Sequence, residues 1–195
     1  MKKSILLLAV AVLFSVPAFS QSESQNKLSL VFDQSIGIGL GNGPLVFLTS
    51  GAALQFSFAD YFLVGGGAAL RYGLTTDSYN ADTGKKNRVF EFDLPIFARA
   101  GVHYSIVGLT VDVGYAIGLF NFGVGSLVGG KYLKRFDGFF VEPHLDLSLG
   151  SSSVGIGLLL QNGSYDLIQT INSSTDTYPI KKMLPAITLR YSHGF

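Results

Sequence analysis

The sequence predicts an all-β protein, an eight-stranded antiparallel up-and-down barrel that spans a membrane. Three observations lead to this fold. Apolar residues alternate with small or polar ones along eight segments, which is the period of a β-strand. The intervals between these segments are alternately long and short. The last segment runs to Phe195, and we expect this strand to find its partner in the first strand, which closes a barrel.

Residues 1–20 are predicted to be a cleavable signal peptide. Two lysines near the start are followed by an apolar run over residues 5–16, with small residues at Ala18 and Ser20 before the expected cleavage site. Cleavage there leaves residues 21–195 as one barrel domain. The apolar run is short for a membrane anchor, and the lack of cysteine excludes both a lipoprotein anchor and a disulfide framework.

The composition favours strands over helices as the membrane-spanning segments. Charged residues make up 14% of the chain, well below the quarter that is typical of soluble domains. Beyond the signal, no segment approaches the roughly eighteen consecutive apolar residues of a membrane helix. Of the 14 Lys and Arg residues, Lys2 and Lys3 leave with the signal, so 12 remain against 13 Asp and Glu, a net charge of −1. This balance excludes a basic surface for nucleic acid.

In the first four predicted strands, one face is apolar and suits lipid, whereas the other is rich in Gly, Ala and Ser and suits a narrow lumen. In the first strand, Leu28 and Leu30 alternate with Ser29 and Val31. The four strands cover approximately residues 27–40, 51–58, 62–72 and 90–99.

The second half of the chain repeats this pattern. In the last strand, Leu189 and Tyr191 alternate with Arg190 and Ser192. A soluble eight-stranded barrel would carry its charges outside and its apolar residues inside, so this distribution favours the membrane barrel. The four strands cover approximately residues 109–119, 141–149, 153–160 and 187–195.

The intervals between the strands predict the topology. A membrane barrel with both ends in the periplasm has tight periplasmic turns and longer extracellular loops. We therefore expect four long extracellular loops and three short periplasmic turns. The expected loops are residues 41–50, 74–89, 121–136 and 161–183, and the expected turns are residues 59–61, 104–108 and 150–152.

The chain resembles the small eight-stranded outer-membrane barrels, the OmpA/OmpX/OmpW-like class. The likeness rests on the signal peptide, the strand count, the alternating intervals and the aromatic end of the last strand. It implies insertion in the outer membrane of a Gram-negative bacterium, among its lipid and lipopolysaccharide. It also implies an assembly signal that the barrel-assembly machinery reads after delivery by periplasmic chaperones. That signal would consist of Ile187, Leu189, Tyr191 and Phe195, while His193 departs from its apolar pattern.

The charged residues on the inward faces are predicted to form a polar network of ion pairs that plugs the lumen. Charges in a poorly hydrated interior need partners, and both signs are present. The residues are Asp33, Arg71, Glu91, Asp93, Arg99, Asp112, Glu142, His144, Asp146 and Arg190. The row Glu142, His144 and Asp146 could instead serve as an acid–base or metal cluster. Neighbours two apart on a strand are nearly 7 Å apart, so this alternative is less favoured, and no cofactor is expected.

Three functions are compatible with these features. The favoured one is a structural or surface-interaction barrel whose long loops meet an extracellular ligand, because a plugged lumen leaves little open bore. The alternative is a narrow channel for small or hydrophobic solutes. A lipid A-modifying enzyme is least favoured, because no His-x-Ser motif of the deacylase kind is recognised. His103 lies near a predicted periplasmic turn, and Ser192 and His193 lie at the predicted periplasmic end.

Overall fold

A computed structural model describes the backbone of residues 27–40, 44–58, 61–80, 85–124, 133–171 and 174–195. The side chains are described for residues 27–40, 46–58, 61–74, 90–120, 138–163 and 183–195. The expected signal peptide, residues 1–20, lies outside the described residues.

Eight strands form one closed antiparallel barrel, in which each strand pairs with the next and the last pairs with the first. This confirms the predicted fold class. Within the described residues, no helix is both long and apolar enough to cross a membrane. The strands are β1 (Lys27–Gly39), β2 (Pro44–Phe58), β3 (Phe62–Asn80), β4 (Lys85–Tyr104), β5 (Val107–Val124), β6 (Leu133–Leu149), β7 (Ser152–Ile171) and β8 (Ser174–Gly194).

The barrel closes between β1 and β8, as the sequence predicts. Their ladder runs from the pair Val31 and Gly194 to the pair Gly39 and Ala186. Beyond it, the backbone N–H of Phe195 donates to the carbonyl of Leu30 at 2.9 Å. The last residue therefore takes part in the closure, and neither β1 nor β8 is left as an open edge.

The pleat of the strands separates two kinds of side chain. Leu54 and Leu189 point outward and are exposed, whereas their neighbours Ala53 and Arg190 point inward and are buried. A bulge in β5 interrupts this alternation locally. Phe92 pairs with Phe120 and Asp93 pairs with Gly118, so one extra residue lies between the two partners in β5.

The prediction of four long loops is wrong for most of their length. The ladder between β3 and β4 continues to Asn80 and Lys85, and that between β7 and β8 continues to Ile171 and Ser174. These extensions escaped prediction because polar residues occupy both faces there, so the alternation fades while the ladder continues. Two predicted short turns are confirmed, at residues 105–106 and 150–151.

Aromatic side chains cluster on the outward face towards both ends of the barrel. We call the end that carries residues 105–106 and 150–151 the short-turn end, and the opposite one the far end. Tyr61 and Tyr104 stack at the short-turn end with their ring centres 6.5 Å apart. Phe92 and Phe120 stack nearer the far end at 4.6 Å. Such pairs are typical of the aromatic girdles at the two interfaces of a membrane barrel.

Candidate functional site in the barrel lumen

A cluster of buried charges crosses the lumen near the short-turn end, and we call it the charged belt. Arg99 forms a two-pronged pair with Asp112, at 2.6 Å from Nε to Oδ1 and 2.7 Å from Nη2 to Oδ2. Its Nη2 also lies 2.8 Å from Oδ2 of Asp33 on β1. The belt consists of Asp33, Arg99, Asp112, Asp146 and Arg190.

Arg190 extends the belt to the other side of the bore. Its Nη1 donates to Oδ2 of Asp112 at 3.1 Å, and its Nη2 donates to Oδ2 of Asp146 at 2.9 Å. Thr110 accepts from Arg190 at 2.5 Å and donates to Asp146 at 2.7 Å. The belt therefore links β1, β4, β5, β6 and β8 through charge-assisted hydrogen bonds, which are among the stronger hydrogen bonds in proteins.

A second group of polar contacts spans the bore, and we call it the cross-bore bridge. Arg71 on β3 donates to Asp93 on β4 from Nε at 2.9 Å and from Nη2 at 2.7 Å. The same Nη2 donates to Oε1 of Gln161 on β7 at 2.6 Å. Since β3 and β7 lie on opposite sides of an eight-stranded barrel, this contact crosses the full width. Glu91 is buried on the same inward face of β4 as Asp93.

The row Glu142, His144 and Asp146 does not form one cluster. Nε2 of His144 lies 3.0 Å from Oε1 of Glu142, which also accepts from Thr188 at 2.7 Å. Asp146 belongs instead to the charged belt. In the part of the chain that the structure describes, no group of three or more His, Cys, Asp or Glu residues is placed to hold a metal ion. The arrangement is that of hydrogen-bonded pairs within the lumen.

An apolar cluster also lies inside the barrel, and we call it the apolar layer. Its members are inward-facing and buried, and Phe97 packs against them. The guanidinium of Arg99 lies over the Phe97 ring, 5.1 Å from its centre, so the layer adjoins the charged belt. The layer consists of Phe47, Ala116, Phe140, Leu159 and Ala186.

Two cavities lie on either side of the charged belt. One of about 200 Å³ is at the short-turn end, where serine hydroxyls and His103 line it and Arg99 and Arg190 border it. The other, about 40 Å³, lies between the belt, Arg71 and the apolar layer. The smaller cavity has room for only a few water molecules. The side chains of Arg99 and Arg190 border both cavities and thus separate them.

All the residues of the predicted lumen network lie on inward faces, and all but Glu142 are buried. Sequence reasoning missed three neutral partners, Thr110, Gln161 and Thr188. It also missed most of the apolar layer. Phe47 of that layer and the polar partner Gln161 both fell in segments assigned to loops. Continuing the alternation of β2 and β7 into these segments would have placed both residues on inward faces. That the network plugs the lumen stays a prediction.

Three residues of the predicted assembly signal, Ile187, Leu189 and Tyr191, share the outward face of β8, and Phe195 follows the end of that strand. Ile187, Leu189 and Phe195 are exposed, and Tyr191 is partly buried. His193 lies on the same outward face, yet it is almost completely buried. Their recognition by an assembly machinery stays a prediction.

Comparison with known proteins places this fold among outer-membrane barrels. The outer membrane protein AlkL, whose structure was determined in lipid bilayers, is 15% identical, with a TM-score of 0.51 over 93% of this chain and 97% of that one. The outer membrane protein OprG from Pseudomonas aeruginosa is 8% identical, with a TM-score of 0.57 over 91% and 99%. No family model and no curated protein sequence matches the chain. The chain therefore has the fold of the small eight-stranded outer-membrane barrels.

Proposed function

We propose that this protein is an integral outer-membrane barrel that acts as a narrow channel for small, largely apolar solutes. In this proposal the signal peptide directs secretion, and the short-turn end faces the periplasm. The exposed apolar residues of alternate positions, such as Leu54 and Leu189, support insertion in a bilayer.

The apolar layer is the observation that carries the channel proposal. Phe47, Phe140 and Leu159 are at most 4% exposed and point into the bore. The interior of a barrel that conducts ions or polar solutes is itself polar. An apolar lining instead repels hydrated ions and gains free energy by contact with an apolar solute. Apolar side chains can also move aside for such a solute without losing hydrogen bonds.

The height of the barrel wall gives an apolar solute access to this layer. β1 ends at Gly39 and β2 begins at Pro44, whereas the neighbouring β3 continues to Asn80. The wall is therefore lower at the hairpin of β1 and β2. Phe47 of the apolar layer lies close to the top of that hairpin, where it pairs with Gly37. A solute arriving at the far end would meet the apolar layer there.

The charged belt and the cross-bore bridge make steady ion conduction unfavourable. An ion crossing the lumen must separate Arg190 from Asp112 and Asp146, or Arg71 from Gln161, at a large cost in buried electrostatic contacts. Planar-bilayer recordings should therefore show no steady ohmic steps in the wild type. Regular conductance steps that vanish when the lumen is blocked would contradict a lumen that these contacts close to ions.

Uptake of an apolar dye by intact cells tests the channel directly, because lipopolysaccharide slows its entry through the outer leaflet. Cells with the protein should take up the dye faster than cells without it. Phe140→Ala removes a ring from the apolar layer, which widens the bore, and should increase the rate. Phe139→Ala, on the exposed outward face, serves as the control. Equal uptake with and without the protein would refute the channel.

A structural and surface-interaction role is the second candidate, and the charged belt favours it. Contacts that link five strands across the lumen suit a rigid barrel that presents its far end to an extracellular ligand. This role predicts no dye uptake, no conductance and a loss of envelope integrity or surface binding when the gene is removed. Neither candidate function is enzymatic.

A further inference from the structure

Two different kinds of contact cross the bore, one in the charged belt and one in the cross-bore bridge. In the belt, Arg190 reaches from β8 to the carboxylates of Asp112 and Asp146, so both ends of the contact are charged. In the bridge, Arg71 donates to the neutral amide of Gln161 at 2.6 Å. The two constrictions of the lumen therefore differ in what their opening would leave behind.

The belt can open only if buried charges lose their partners. Separation of Arg190 from both carboxylates removes the ion pairs that compensate its charge in a poorly hydrated lumen, which is strongly unfavourable. Arg71 keeps its ion pair when Gln161 is released, because Nε and Nη2 both donate to Asp93 on the adjacent strand, at 2.9 and 2.7 Å. Release of Gln161 thus breaks one charge-assisted hydrogen bond of Arg71 and no ion pair, so the bridge opens at a smaller cost than the belt.

The surroundings of the bridge place it at the entrance to the apolar layer. The guanidinium of Arg71 lies over the Phe47 ring, 5.5 Å from its centre, and both side chains border the smaller cavity. Gln161 pairs in the ladder with Phe140 of the same layer. The next inward position of β7 towards the far end is Gly163, so Gln161 can turn in that direction without meeting a side chain of its own strand.

We propose that Gln161 is the latch of this channel. Its bond to Arg71 opens to admit a solute from the far end to the apolar layer, while the charged belt stays closed. Because Gln161 acts through Arg71, which it holds across the bore against Phe47, it is a positioning residue for solute entry. This role rests on the channel function proposed above.

The rate at which a buried thiol reacts measures this opening directly, because the chain contains no cysteine. Ala69→Cys places one thiol beside the smaller cavity, two residues from Arg71 on the inward face of β3, where the native residue is 6% exposed. The reagent is methyl methanethiosulfonate, which is small and uncharged, added to the purified protein in detergent. In this background Gln161→Met, which is similar in length but lacks the amide oxygen, should raise the rate about ten- to a hundredfold, the effect of one hydrogen bond to a charged group.

Two further variants separate the latch from a general loosening of the barrel. Gln161→Glu keeps an acceptor oxygen for Arg71 and should react no faster than the Ala69→Cys parent. Gln55→Met is the matched control, because Gln55 lies on the inward face of β2 beside the larger cavity, on the other side of the charged belt. It should leave the rate unchanged. Gel mobility before and after heating shows whether each variant is folded.

Equal thiol rates in the parent and in Gln161→Met would overturn the latch, as would a Gln161→Glu variant that reacts as fast as Gln161→Met. The thiol assay needs no transport, so the latch and the channel fail independently. Faster dye uptake by cells with the protein, together with a thiol rate that Gln161→Met leaves unchanged, would refute the latch and leave the channel. The expected order of thiol rates without protein-dependent uptake would refute the channel and leave Gln161 as the latch of a closed lumen.

Discussion

Asp112 is the residue on which the charged belt depends, because it accepts from two arginines at once. Its pairing with Arg99 follows from register, since the two residues are ladder partners on β5 and β4. Its bond to Arg190 crosses the lumen from β8. The pairing of neighbouring strands thus provides the contact with Arg99, and the narrowness of the barrel provides the contact with Arg190. A wider barrel would leave Arg190 in water.

Neutralising Asp112 should destabilise the barrel strongly. Asp112→Asn keeps the size of the side chain and leaves Arg99 and Arg190 with less compensating charge, which we expect to cost about 3–5 kcal/mol. Urea unfolding in detergent, followed by gel mobility, measures the free energy of unfolding. Lys27→Gln, at the start of β1, is the control and should change it by less than about 0.5 kcal/mol. A loss under about 1 kcal/mol for Asp112→Asn would show that the belt is hydrated.

Glycine allows neighbouring strands to approach closely at Gly51. A methyl group there would lie 2.5 Å from the Cβ of Ala69 and 2.6 Å from the carbonyl oxygen of Ala68. Gly51→Ala should therefore lower the free energy of unfolding by about 1–3 kcal/mol, as overpacking does. Gly194→Ala is the control, because its nearest contact is at 3.7 Å. Equal melting temperatures of the two variants would contradict this account.

The alternation of side chains along a strand was sufficient to place the predicted lumen residues inside the barrel, but not to identify their partners. The ladder pair of Arg99 and Asp112 depends on register, and the contact between Arg71 and Gln161 depends on barrel width. Neither quantity is encoded by alternation within one strand. Alternation also fails to predict the burial of His193. This residue occupies an outward position of β8 and yet is buried beside Phe195 and Ser152.

At the scale of elements, two short turns contain residues with a left-handed backbone. Gly150 has a φ of 70°, which glycine adopts without strain, and Ser105 has a φ of 56°, which costs a side chain about 1 kcal/mol. Gly150→Ala should therefore destabilise the barrel by about 1 kcal/mol, and Ser105→Gly should stabilise it by a smaller amount. Thermal unfolding of both variants measures these effects, and shifts of the same sign would refute the explanation.

The strands were predicted well where one face meets lipid and poorly beyond it. β1 was predicted almost to the residue, because its outward face from Leu28 to Ile38 is apolar at every position except Gln34. β8 was predicted from Ile187 but begins at Ser174, in a segment where Thr, Asp and Lys residues occur on both faces. Lipid imposes alternation, whereas a ladder outside the membrane needs only backbone hydrogen bonds. The position of the bulge in β5 likewise had no sequence signal.

At the scale of the whole molecule, the barrel is polarised along its axis. The short-turn end has tight connections and the larger cavity, while the far end has long hairpins and a lower wall at β1 and β2. Both β1 and β8 reach the short-turn end, where Phe195 completes the closure. For the proposed outer-membrane location we expect the far end to be the translocated one, because Lys27 of β1 and Gly194 of β8 both lie at the short-turn end.

This polarity predicts the orientation in the membrane, and the chain is suited to a labelling test because it contains no cysteine. Asn80→Cys places a thiol at the end of β3, and Ser105→Cys places one in a short turn. In intact cells a membrane-impermeant maleimide should label only the first variant, since we expect the second to face the periplasm. Lysed cells provide the control, because both thiols should then react. Labelling of the Ser105→Cys variant alone in intact cells would invert the topology.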